Sequence, residues 1–250
     1  MSAKPLAIDL FCGLGGWTEG LLAEGYEVIG FDIERHHYGS EKYPAQLVIQ
    51  DVLTIHGSQF RNAALIVASP PCQEYSYMAM PWKLAKAKAA AIRADTTGAA
   101  LAKLTALFDA CFRIQREACE AAGRYIPMVI ENVRGAQEWV GRAPWNYGSF
   151  YLWGDVPALM PIGRKRKIVG YSDPRRNGGK GVHLTSQREN DSGVKNGNDW
   201  FGAGENCSLQ RRASSKSASR KAASAQIAKI PLELSTYIAR CYRPRLEATA

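Results

Sequence analysis

The feature that most constrains this chain is a short apolar run, Leu6–Leu10, which ends in Phe11-Cys12-Gly13-Leu14-Gly15-Gly16 and passes into a helical pattern. A run of that length followed by glycines and a helix describes a buried strand, a tight turn and a crossover, the opening unit of a mostly parallel sheet covered on both faces. The glycines would let a ligand lie against backbone and against the positive end of the helix. A plain strand-to-helix turn accounts for the same residues. The alternation continues to about Val156, with strands expected at Glu27–Phe31, Leu47–Gln50, Leu65–Ala68 and Met128–Ile130, and with Gly25 placed to cap the first helix. Residues 82–122 read as two helices broken near Asp95–Gly98, with Leu104, Leu107, Cys111 and Ile114 recurring at helical spacing on a core face.

The 250 residues are 46% hydrophobic and 22% charged, enough for a globular core. No apolar run nears the roughly 20 residues of a membrane span, and Met1–Pro5 opens no secretory leader, so a cytoplasmic, membrane-free protein is expected. Six cysteines form no Cys-x-x-Cys pair and the four histidines no ligand spacing, so neither a disulfide framework nor a metal is expected.

Charge divides the chain: residues 1–163 hold 14 Lys/Arg against 16 Asp/Glu, and residues 164–250 hold 18 against 7. Such an excess attracts nucleic-acid phosphates, although a solvated basic surface has the same composition. Three parts are expected: a catalytic domain over 1–163, a small basic irregular region over 164–224, and a C-terminal segment, 225–250, returning to the first. Pro231 marks the helix start in that segment, with Leu232, Leu234 and Ile238 as its apolar set.

Chemistry gathers at the predicted strand ends. Asp32 follows the second strand, where a carboxylate can hold ribose hydroxyls, and Asp51 follows the third; a turn or cap role suits either equally. After the fourth strand comes Ser69-Pro70-Pro71-Cys72-Gln73-Glu74-Tyr75-Ser76, whose prolines stiffen a loop around a cysteine. That is a mount for a nucleophile, or a half-buried structural thiol. Glu131-Asn132 closes the fifth strand, a carboxylate fit to act as a general acid or to cap a helix.

In this order and at these separations, Asp9–Gly16, Pro70–Ser76 and Glu131-Asn132-Val133-Arg134-Gly135 resemble the motifs of the cytosine-5 DNA methyltransferases, over roughly residues 6–136. Leu107–Ile114 is similar to a weaker helical motif of that family. The resemblance implies a Rossmann-like α/β fold and S-adenosylmethionine as cofactor, contacted by Phe11, Gly13, Leu14, Gly16, Pro71 and Leu107. Asp32 would hold its ribose and Asp51 its adenine amino group. It implies Cys72 as nucleophile and Glu131 as the acid facing the cytosine ring, with Ser76 shaping the pocket. Arg164 and Arg166 both align to the family's arginine pair, Arg166 being the catalytic candidate. Residues 224–231 stand in for the closing motif.

The implied substrate is duplex DNA, acted on by a monomer of bacterial or phage type. The alternatives are the same chemistry on transfer RNA and a catalytically silent DNA-binding relative. Lys83, Lys86, Lys88 and Arg93, in the helix after the Pro-Cys-Gln loop, are either phosphate contacts or a solvated helix face.

Overall fold

The computed structural model describes residues 3–38, 41–75, 82–160 and 228–244, with Lys221, Ala225 and Gln226 besides. Ser76, Arg164 and Arg166, and with them the whole region 164–224 except Lys221, therefore lie outside the described residues.

Seven strands form one sheet in the order β5-β2-β1-β6-β7-β9-β8. They are β1 (Leu6–Leu10), β2 (Glu27–Asp32), β5 (Gln46–Ile49), β6 (Ala63–Ala68), β7 (Met128–Asn132), β8 (Trp145–Tyr147) and β9 (Phe150–Gly154). The first five run parallel, and β9 pairs antiparallel with both β7 and β8. A two-stranded hairpin, β3 (His37–Tyr38) and β4 (Glu41–Lys42), stands between β2 and β5. Among the described residues the helices are α1 (Gly16–Ala23), α2 (Trp82–Ala94), α3 (Ala99–Ala122), the single turn α4 (Gln137–Val140) and α5 (Leu232–Tyr242).

Side-chain alternation explains the two layers. Ile8, Leu10, Ile66, Ala68, Met128 and Ile130 face a core completed by α3 through Phe108, Cys111, Ile114 and Ala118. Their neighbours Ala7, Leu65, Val67 and Val129 face the opposite core, completed by Trp17 and Leu21 of α1 and by Leu234 and Ile238 of α5. Strands buried on both faces need unbroken apolar runs, which is why they stood out in the sequence.

The chain moves outward from β1 through β2 to β5, then crosses back to β6 on the other flank of β1. That reversal opens a crevice at the carboxyl ends of β1 and β6, the place where open α/β sheets bind ligands.

Helix α5 packs along α1 because two glycines remove the side chains that would separate them. A Cβ on Gly16 would stand 2.3 Å from the Ile230 nitrogen, and one on Gly20 2.3 Å from the Ser235 hydroxyl. Lys229 pairs with Glu19 at 2.6 Å and Arg240 with Glu24 at 2.7 Å across the same contact. The Tyr26 hydroxyl donates to the Ala239 carbonyl at 2.9 Å.

Several expectations need correction: the second strand extends to Asp32, the fourth starts at Ala63, and the β3–β4 hairpin is additional. The third expected strand begins one residue earlier, at Gln46, and the fifth runs on through Glu131 and Asn132, which pair with Leu152 and Tyr151 of β9. The β8–β9 hairpin was not anticipated, although Gly148-Ser149 between Tyr147 and Phe150, with Gly148 at φ 59°, is a recognised two-residue turn signal. Leu232 is 54% exposed, whereas Leu234 and Ile238 are fully buried. Positions two apart on a helix lie on nearly opposite sides, so only the i, i+4 pair can share the buried face.

Candidate active site

Because β5, β2, β1, β6 and β7 are adjacent and parallel, their carboxyl ends form one row. Asp51 follows β5, Asp32 ends β2, the Phe11–Gly16 turn follows β1, the Ser69–Tyr75 loop follows β6, and Glu131 with Asn132 ends β7. Register confirms the alignment: Asp32 pairs with Ile49, Leu10 with Phe31 and Ala68, and Ala68 with Ile130. At roughly 5 Å per strand, Asp51 and the cysteine loop stand roughly 15 Å apart, with Glu131 one strand further.

The turn is shaped before any ligand arrives. Phe11 adopts φ 58°, which costs an aromatic residue on the order of 1–3 kcal/mol and must be held by its surroundings. Gly13 sits at φ 52° with open space where a Cβ would be, and its N–H donates to Asp32 Oδ2 at 2.9 Å. An open backbone edge above a buried acid fits a ligand carrying hydroxyl and amino donors.

Asp32 is 8% exposed. Burial raises its proton affinity, but the His36 ring and the Gly13 and Glu34 amides outweigh it and hold the carboxyl below its ordinary value. Asp51 Oδ1 accepts from the Leu53 amide at 2.9 Å and so caps the short 3-10 helix at Val52–Thr54. Leu14 is buried, and the backbone of Ile230 stands beside Gly16. Docking of α5 is therefore enough to require a glycine at position 16.

Beneath the turn lies a polar group of which the motifs contain only Asp9. Asp9, fully buried in β1, accepts from the Thr18 hydroxyl at 2.6 Å, and Thr18 lies 2.6 Å from the Tyr43 hydroxyl. Its other oxygen, Oδ1, has no partner among the described residues. Burial pushes Asp9 up to about 7, against the lowering effect of Thr18 and with a further push from Asp32, so the acid is held largely neutral in mildly acidic solution. A carboxylate in the middle of an apolar strand was the available signal. Cys12, beside this group, is buried with its thiol pushed up by the loss of solvent, which suits packing and not nucleophilic attack.

The cysteine loop is fixed at its base. The Trp17 indole N–H donates to Ser69 Oγ at 3.0 Å, and the Asn132 amide donates to the Pro70 carbonyl at 2.9 Å. The second of these bonds ties the end of β7, with the buried Glu131, to the residue two before Cys72. Cys72 itself is half-buried, and its carbonyl accepts from the Tyr75 amide at 3.0 Å. Asn132 thus has a positioning role that its place in the motif did not reveal.

Pro71 and Leu107 are brought together at a cavity of about 390 Å³ that also touches Tyr75, Ile92, Leu104 and Trp139, under α2. In α2, Lys88 pairs with Glu74, and Arg93 pairs with Glu138 while lying 5.7 Å from the Trp139 ring centre. Lys83 and Lys86 are exposed. Among the described residues no cluster of ligating side chains could hold a metal ion, and no helix is long and apolar enough to cross a membrane.

Comparison with known proteins gives the same N-terminal signature. No curated protein matches the chain. Among solved structures it is similar to a prophage-encoded Escherichia coli protein assigned as a DNA modification methyltransferase, at 22% identity and a TM-score of 0.35. Schizosaccharomyces pombe Dnmt2 methyltransferase (16%, 0.32) and the Entamoeba histolytica methyltransferase EhMeth (17%, 0.33) are also similar. The alignments cover 53%, 54% and 61% of this chain but only 33%, 36% and 53% of those proteins. Residues 6–88 match the C-5 cytosine-specific DNA methylase family, so the segment carrying β1, the glycine turn, both aspartates and the cysteine loop bears that family's signature.

Proposed function

We propose that the chain is an S-adenosylmethionine-dependent methyltransferase acting on carbon 5 of cytosine in duplex DNA, with Cys72 as nucleophile and Glu131 as the acid at the base. The observation that carries this reading is the row across the sheet edge: a shaped glycine turn with two acids on one side of the crevice, and a cysteine and a buried glutamate on the other.

Phe11, the Gly13 backbone, Asp32 and Asp51 would hold the nucleoside part of the cofactor, with Pro71 and Leu107 closing its side. The cofactor, when bound, supplies an electrophilic methyl group. Carbon 5 of cytosine is a poor nucleophile, so the Cys72 thiolate adds to carbon 6 and the electron pair moves toward carbon 5. A hydrogen bond from Glu131 to ring nitrogen 3 favours that addition. Once carbon 5 carries the methyl group it loses its proton to a base, and the sulfur–carbon 6 bond breaks to release the thiolate.

A free thiol titrates near 8.5, so only a small thiolate fraction is present at neutral pH without help from the site. The cytosine must also leave the helix stack, at a cost of a few kcal/mol. The 18 basic residues against 7 acidic ones in the C-terminal part supply attraction for phosphates, and Arg166 is the proposed further participant in the reaction.

Cys72→Ser is expected to abolish methyl transfer to duplex DNA while calorimetry shows S-adenosylmethionine binding nearly unchanged. Duplex containing 5-fluorocytosine should become covalently attached to the wild type only. Normal turnover by the serine variant would overturn the assignment, and transfer to transfer RNA in place of DNA would replace the substrate. Glu131→Gln is expected to slow transfer by about a hundredfold, the loss typical of a missing general acid, with little change in melting temperature. A variant that unfolds but keeps its rate per folded molecule would reduce Glu131 to a structural residue.

A further inference from the structure

We propose that the β3–β4 hairpin and the end of β2 build a phosphate-binding pocket beside Asp32, and that its ligand in the cell is a backbone phosphate of the nucleic-acid substrate. The second half of this statement rests on the function proposed above; the first does not.

A cavity of about 290 Å³ lies between the end of β2, the hairpin and β5, lined by Arg35, His36, His37 and Lys42 over a floor that includes Tyr43 and Leu47. Lys221, distant in sequence, lies close enough for its charge to bear on His36. Four cationic or protonatable side chains thus line one concave surface, and the charge of a fifth, Lys221, reaches it.

Several cations elsewhere have a carboxylate partner: Lys88 has Glu74, Arg113 has Glu117, Lys229 has Glu19 and Arg240 has Glu24. At this cavity the ion pairs among the described residues are those of His36, with Asp32 and Glu34. Among the described residues Arg35, His37, Lys42 and Lys221 have no ion pair, and all four are exposed. Arg35 and Lys42, both on the cavity wall, repel one another, and an entering anion relieves that repulsion.

His36 shows how the site is organised. Its Nε2 lies 3.4 Å from Asp32 Oδ1 and its Nδ1 3.3 Å from the Tyr38 hydroxyl, which fixes the ring against the cavity wall. The groups acting on it are Asp32, Glu34 and Tyr38 from its own stretch of chain and Lys221 from the C-terminal part. The bond to Asp32 outweighs burial and the repulsion from Lys221, so the ring holds its proton more tightly than an ordinary histidine.

A phosphate is the anion that suits this set. It offers oxygens in several directions to donors that approach from several directions, and the planar guanidinium of Arg35 matches a pair of them. Exposure of the cations makes the pocket reachable by a phosphate that is part of a polymer. The position is also right for a substrate backbone: β2 is two strands, roughly 10 Å, from β6, whose following loop carries Cys72.

The test uses the full chain and an Arg35→Ala/Lys42→Ala variant, both substitutions being at exposed positions. Inorganic phosphate, with chloride at matched ionic strength as control, is titrated while the imidazole resonances of His36 and His37 are followed by NMR. A saturable shift in the wild type, abolished in the variant, is expected; no phosphate-specific shift in the wild type would overturn the pocket.

In a second arm, duplex DNA affinity is measured against salt. The slope of log affinity on log salt is expected to fall by about 0.9 for each phosphate that the variant no longer neutralises. A phosphate-dependent histidine shift with an unchanged duplex slope would leave a pocket for a free phosphate or phosphate ester and overturn the backbone as its source. A wild type that binds phosphate at the histidines but no duplex at all would overturn the DNA reading and not the pocket. Cofactor affinity should be the same in wild type and variant, which separates this site from the neighbouring Asp32.

Discussion

On the β1 side of the crevice, the turn from Phe11 to Gly16 is tied down from three directions. Asp32 accepts the Gly13 amide from β2, the Asp9–Thr18–Tyr43 chain sits beneath it, and α5 lies against Gly16 and Gly20. On the β6 side, the loop from Ser69 to Tyr75 is tied at its base, by Trp17 to Ser69 and by Asn132 to Pro70, and at its far end by the Tyr75 hydroxyl on the Leu104 carbonyl. Between those ties Pro71, Gln73 and Glu74 are exposed, and Cys72 is half-buried.

Under the proposed function, the difference follows from what each half would have to do. A site for a cofactor gains affinity by being shaped in advance, because little ordering entropy is then lost on binding. A nucleophile that meets a base only after that base leaves a helix needs a firm footing and room above it.

If the β1 side depends on close docking of α5, the largest effect should come from Gly16→Ala. The added methyl would stand 2.3 Å from a backbone nitrogen, which no rotamer change relieves. Overpacking of this kind costs about 3 kcal/mol, which lowers the melting temperature of a chain this size by roughly 10 °C. Calorimetry should show the fall together with weakened cofactor binding. Unchanged melting and affinity would mean that α5 is not part of the cofactor side.

A smaller effect, confined to the other half, is expected from Asn132→Ala. It removes the donor to the buried Pro70 carbonyl and lets the base of the loop shift while leaving the glycine turn untouched. Displacement of a reacting group by about 1 Å can cost on the order of a hundredfold in rate. Single-turnover methyl transfer should slow by tenfold or more with cofactor affinity unchanged. Equal losses in both would show that the two halves are mechanically one.

The same contrast decides how much could be read from the sequence. Parallel strands buried on both faces announce themselves as apolar runs, and the polar residues that end them were visible as breaks, so the sheet and the row along its edge were legible. The supports were not. Asp9, Thr18 and Tyr43 meet because β1, α1 and the segment before β5 converge, and no spacing in the sequence encodes that convergence.

Asn132 looked like half of a capping pair because its partner, the Pro70 carbonyl, belongs to a different crossover. The β3–β4 hairpin is too short for periodicity to register, and so the gathering of Arg35, His36, His37 and Lys42 was invisible as well. The antiparallel pair β8–β9 was missed for a different reason: its Gly-Ser turn was readable, but an alternating strand-and-helix pattern had already set the expectation.

The smallest expected effect, and the sharpest test of the β1 side, is the pH dependence carried by Asp9. Its folded-state value, about 7, lies above the ordinary 3.8, so the folded protein holds a proton that the unfolded chain releases between those values. The stabilisation is therefore complete below about 4 and is lost as pH rises through about 7. Asp32 runs the other way: its carboxyl is held below the ordinary value, so its contribution is present in neutral solution and is lost only on acidification.

His36, raised by Asp32, also loses its contribution as pH rises, but it does so equally in wild type and in an Asp9 variant. Asp9→Asn keeps the shape and the acceptor for Thr18 and removes the titration. The variant should match the wild type near pH 4 and exceed its melting temperature near pH 8 by on the order of 5 °C. Parallel melting curves across that range would mean that a solvent molecule or a shift of the turn satisfies the ionised acid, and that the floor of the cofactor side is less rigid than its hydrogen bonds imply.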